Sequence, residues 1–76
     1  MFQLEEAILD ADELEALRLA DYEGLYHEEA ALNMGVSRTT FGRILNNARR
    51  KTADAIIHGK ALRIEAMNMK KEEEVE

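Results

Sequence analysis

The sequence predicts a small all-α domain of three helices, the last two joined by a tight turn, with room for a short β pairing between its ends. Three observations predict it. The chain has 76 residues and no proline, so it makes one domain at most and long helices are permitted. Glycines at 24, 35, 42 and 59 punctuate stretches of helical periodicity. Cap residues stand where those stretches begin: Asp10 three residues before Glu13, and Ser37 ahead of Arg38.

Residues 4–9, LEEAIL, read as either an extended segment or an early helical turn. The Asp10–Glu13 pair then opens the first helix, with acids at 12, 13 and 15 suited to the positive end of its dipole. Leu14 and Leu17, with Arg18 or Tyr22, recur at helical spacing beside Ala16 and Ala20. Gly24 ends the run in the left-handed position that glycine adopts without cost. A second, short helix fits His27 to Met34, where Ala30, Ala31 and Met34 form a small apolar face; Gly35 stops it and Val36 is expected to be buried in the turn.

The third helix is the longest. At about 100° per residue, Phe41, Ile44, Leu45, Ala48, Thr52, Ala55 and Ile56 share one face. Thr39, Arg43, Asn46 and Arg50 share the opposite one, with Asn47 at its border. From Arg38 to His58 it would span about 31 Å, with Gly59 as its stop. Lys60 to Glu65 then alternates as a short strand, whose expected partner is LEEAIL of the same chain or of another.

The charges are segregated. Residues 1–35 carry a net of −9, residues 36–64 a net of +6 and residues 65–76 a net of −3, within a total of −6. A basic block inside an acidic chain marks one face for a polyanion. The domain is expected over 1–65, with the helix-turn-helix at 27–51, and 66–76 as an acidic, disordered tail.

Composition also excludes classes. The absence of cysteine removes disulfide scaffolds, thiolate metal sites and cysteine nucleophiles. No apolar run approaches the ~20 residues of a membrane span. The acidic start, MFQLEEAILDADE, is unlike a signal or transit peptide, so a cytoplasmic setting is expected. His27 and His58 lack the spacing of a zinc site, and Asp10 to Glu13 lacks the remaining ligands of a calcium loop. With no phosphate loop and no nucleophile elbow, neither an enzyme nor a cofactor or metal is expected.

HEEAALNM, then GVS, then RTTFGRILNNARRK is the grammar of a helix-turn-helix. Small Ala30 and Ala31 let two helices cross closely, Gly35 allows the sharp turn, and Ser37 satisfies an otherwise unpaired amide, worth about 1 kcal/mol. On this reading Arg38, Thr39 and Thr40 start a recognition helix, Arg43 and Asn46 continue its reading face with Asn47 at the border, and Arg49, Arg50 and Lys51 reach phosphates.

The segments DELEALRLAD, EEAALNMGVSRTTFGRIL and GKALRIE also occur in the order seen in one family. Over about residues 5–65 the chain resembles the small prokaryotic predicted DNA-binding proteins related to region four of the primary sigma factors. The resemblance implies a helix-turn-helix fold and a role in transcriptional regulation. Members of that family carry an amino-terminal stretch rich in Arg, Pro and Cys ahead of the acidic segment, and some continue into a second domain.

The expected partners are therefore double-stranded DNA and a second copy of the chain. Four to six phosphate contacts per protomer would give a log–log salt slope of about −4 to −5. The runner-up is an interaction module contacting another regulator or RNA polymerase, which the acidic first half and acidic tail would suit.

Overall fold

The computed structural model describes residues 4–65, so the expectation of a disordered tail at 66–76 lies outside the described residues. Strand β1 (Glu6–Asp10) leads into helix α1 (Ala11–Leu17), which continues as a π-helical turn over Arg18–Tyr22. Helix α2 (His27–Met34), helix α3 (Arg38–His58) and strand β2 (Ala61–Glu65) follow.

Each boundary has a local cause. Asp10 caps α1 by accepting from the Glu13 amide (2.9 Å), and Glu13 returns the bond by accepting from the Asp10 amide (3.0 Å). Ser37 Oγ accepts from the Thr40 amide at 3.0 Å and so opens α3. Gly35 and Gly59 end α2 and α3 at φ of 72° and 66°, a conformation that costs other residues steric strain.

The short β pairing expected between the ends of the chain is present beside the three helices. LEEAIL is extended rather than helical, and β1 pairs with β2 in parallel, with Ala7 opposite Leu62 and Leu9 opposite Ile64. The protein is thus a small helical domain of three helices with a two-stranded parallel sheet. All three helices lie between the two strands in sequence, as a parallel pair requires of its crossover.

The core cluster comprises Ala16, Leu19, Ala30, Ala31, Phe41 and Leu45. Phe41 is its largest member, and the His27 ring meets it edge-on at 5.3 Å. Leu9 is buried as well, as are Ala48 and Ala55 of α3.

Three details depart from the periodicity. The first helix changes to π geometry, closed by the Glu23 amide donating to the Arg18 carbonyl at 2.8 Å. Val36 is half-buried rather than buried. Ile56, assigned to the apolar face of α3, is 76% exposed: it stands at the margin of the stripe, where burial on the core is lost first.

Candidate nucleic-acid interface

Helix α3 builds the candidate surface. Its stripe of Phe41, Leu45, Ala48 and Ala55 is buried, which turns the opposite side outward for the length of the helix. Thr39, Arg43, Asn46 and Arg50 fall within about 60° of one another around the helix axis, with Asn47 beside them. All five are exposed. None of these side chains makes an ion pair or hydrogen bond among the described residues, and the same holds for Arg38. Six polar groups are therefore presented to solvent with their hydrogen-bonding capacity unspent.

Arg38 lies on a different side. With Arg49 it lines a cleft between α2 and α3, whose other walls include Tyr26, His27 and Glu28. Tyr26 is the residue of this cleft that helical periodicity does not single out; an exposed aromatic hydroxyl where a helix cap would ordinarily stand is the signal that points to it.

The other three predicted residues are engaged within the chain. Thr40 accepts a hydrogen bond from Ser37 Oγ at 3.0 Å, completing the cap of α3. Arg49 grips Asp21 with two bonds, Nη2 to Oδ1 at 2.7 Å and Nε to Oδ2 at 3.1 Å. This hydrogen-bonded guanidinium holds the Asp21 carboxyl below its ordinary pKa, and Asp21 in turn raises that of Arg49. Lys51 donates to Glu13 Oε1 at 2.9 Å and to the Ile8 carbonyl at 3.0 Å. Two cations of the basic block are thus neutralised by acids of the amino-terminal half, leaving Arg38, Arg43 and Arg50 as the unpaired cations of α3 among the described residues.

At the carboxyl end of α3, Asp54 accepts from Lys60 Nζ at 2.8 Å and pairs with His58 Nδ1 at 2.8 Å. Lys60, with His58 after it, draws the Asp54 carboxyl below its usual pKa, while Asp54 raises that of Lys60. This closed cluster occupies both the histidine and the acid. No group of three or more His, Asp or Glu side chains able to hold a metal ion occurs among the described residues, and no described helix is long and apolar enough to cross a membrane.

The fold and this surface define a class: a small three-helix domain with a polar, arginine-bearing face on its longest helix. The chain belongs to the family described as "Protein of unknown function DUF134", which it matches over residues 2–72. It is 62% identical over 74 residues to a UPF0251 protein of Prosthecochloris aestuarii, covering 96% of this chain and 48% of that protein. It is 60% identical over 63 residues to one from Moorella thermoacetica (83% and 42%), and 55% identical over 74 residues to one from a Thermoanaerobacter species (97% and 66%). The chain spans about half the length of the curated relatives it matches. No solved structure matches it.

Proposed function

We propose that the protein is a sequence-specific double-stranded-DNA-binding regulator of transcription, working as a homodimer in the cytoplasm. In this reading α2 and α3 form a helix-turn-helix of the sigma region-four kind, and α3 enters the major groove. The observation that carries it is the row of unspent polar groups, Thr39, Arg43, Asn46, Asn47 and Arg50, on the outward side of a helix whose other side is fixed in the core. A surface helix without a ligand has no need of one acid-free face, and α3 has Asp54 as its sole acid.

The chemistry of the side chains matches the groove. Arginine bonds guanine O6 and N7 in a bidentate pair, and asparagine does the same for adenine N6 and N7, each for about 1–3 kcal/mol of discrimination. Arg38 and Arg43 take the first role and Asn46 and Asn47 the second, while Arg50 reaches a phosphate.

Selection from a random duplex pool tests this directly. The bound fraction is expected to become enriched in one sequence. Arg38→Ala relaxes preference at one position, whereas Arg50→Ala weakens all sequences alike and flattens the salt slope by about one. A pool bound with no enrichment, or an Arg50→Ala change in preference without a change in slope, contradicts these roles.

An interaction module docking on another regulator or on RNA polymerase is the second reading. The exposed groove along α1 and the π turn, where Leu14, Leu17 and Tyr22 stand among Glu15, Arg18 and Asp21, favours it. It predicts a folded protein that leaves DNA unbound.

A further inference from the structure

We propose that the outer edge of β2 is a homodimerisation surface, on which β2 of a second copy adds antiparallel to make a four-stranded sheet. This deepens the homodimer part of the reading above. Its test contains no DNA, so failure of either leaves the other distinguishable.

The two edges of the sheet differ. The Ala61 amide donates to the Glu5 carbonyl at 2.8 Å. By the alternation of a parallel ladder, Ala61, Arg63 and Glu65 then turn their backbone groups toward β1, while Leu62 and Ile64 turn theirs outward. On β1 the outward groups belong to Glu6, Ile8 and Asp10. Two of these are already taken: Lys51 Nζ donates to the Ile8 carbonyl (3.0 Å) and the Asp10 amide donates to Glu13 (3.0 Å). A charged lysine on an edge is a known guard against strand addition. Among the described residues no side chain guards the β2 edge in this way.

The side chains favour addition as well. Leu62 and Ile64 share the helix-facing side of the sheet with buried Ala7 and Leu9, yet remain 45% and 38% exposed. An isolated two-stranded sheet is marginal in water; a four-stranded one is not, and edge pairing would set the exposed Ile64 of one copy beside Ile64 of the other on the same face.

Charge selects the partner and the register. If Ile64 lies opposite Ile64 of the second copy, a two-fold axis passes between them. Arg63, which within its own chain meets Glu6 and Glu65 at 3.3 Å, then also faces Glu65 of the second copy, and Glu65 faces Arg63 of the second copy. The strand is self-complementary, as an isologous contact demands. Centring the axis on Arg63 instead would oppose two like charges.

Sedimentation velocity of the 76-residue protein alone should give twice its 8.7 kDa at micromolar concentration. Ile64→Lys should raise the dimer dissociation constant at least tenfold with helical circular dichroism retained, whereas Ile8→Lys, on the other face of the guarded strand, should leave it unchanged. Amide exchange in the unaltered protein gives a readout without substitution: the Ile64 amide should slow as concentration rises. A monomer at all concentrations, a dimer indifferent to Ile64→Lys, or an Ile64 amide whose exchange ignores concentration would overturn the proposal.

Discussion

Arg49 and Asp21 lie 28 positions apart in sequence, yet meet as a two-bond ion pair, 2.7 and 3.1 Å, that joins α3 to the π turn after α1. The pair sets how much of the basic block remains available outside the chain. It also links the proposed function to stability, because the same guanidinium serves one or the other.

Asp21→Asn is therefore expected to strengthen DNA binding, since it releases Arg49 beside Arg38. Each additional phosphate contact steepens the log–log salt slope by about 0.9, so the variant should bind more tightly at low salt and lose affinity faster as salt rises. Half-exposed ion pairs contribute about 0–1 kcal/mol, so the thermal midpoint should fall only slightly. Anisotropy and melting of one preparation check both halves.

Acid should loosen the fold through carboxylates that are paired in the native state. Hydrogen bonds lower Asp21 through Arg49, Glu15 through Arg18 and Asp54 through Lys60 and His58. A carboxyl depressed on folding contributes stability that is present above its unfolded pKa, near 4, and is lost as pH falls through the lower native value. Urea midpoints should thus hold between about pH 5 and 7 and decline below pH 4. In Asp21→Asn that decline should be shallower, because one of the linked groups is gone.

Lys51 and Arg50 are neighbours with opposite expected effects. Glu13 is only 7% exposed, and Lys51 supplies its cation while also holding the Ile8 carbonyl. Lys51→Met should therefore cost about 1–3 kcal/mol of stability by leaving a buried carboxylate with the Asp10 amide but no cation. Arg50→Ala should stay within about 0.5 kcal/mol, as for other surface positions, and should instead weaken DNA binding. Chemical denaturation of the two variants side by side separates them.

Gly42→Ala should stabilise the protein by about 1 kcal/mol, the helix-propensity difference between the two residues. A β-carbon built at Gly42 meets nothing within 4 Å, so no packing cost offsets the gain. For a domain of this size the melting temperature should rise by about 4–8 °C.

Much of the helical framework was legible because its determinants are local. Ser37, Gly35 and Gly59 act on amides and carbonyls within a turn of themselves, and α2 and α3 begin and end where those residues place them. The Asp10–Glu13 capping box is of the same kind. Non-local features were legible only in part: the pairing of the last strand with LEEAIL was expected, its direction and register were not. Both strands alternate visibly, but their parallel register joins residues 55 apart, such as Ala7 and Leu62. Nor does periodicity show the π turn, within which Leu19 packs in the core while its carbonyl accepts from the Leu25 amide at 3.0 Å. For the candidate site, helical periodicity found the outward row from Thr39 to Arg50. It had no means of showing that Asp21 and Glu13, from the acidic half, would take up Arg49 and Lys51.

The most direct test of the account is the salt dependence of binding to a random-sequence duplex pool, followed by fluorescence anisotropy from about 50 to 200 mM salt. On a random pool, where most duplexes lack the preferred bases and all three unpaired arginines of a protomer meet phosphates instead, the predicted log–log slope is about −3 for one protomer and about −5 for a dimer, at about −0.9 per contact. Absence of binding at the lower salt, from protein shown by circular dichroism to be folded, would contradict the DNA-binding account.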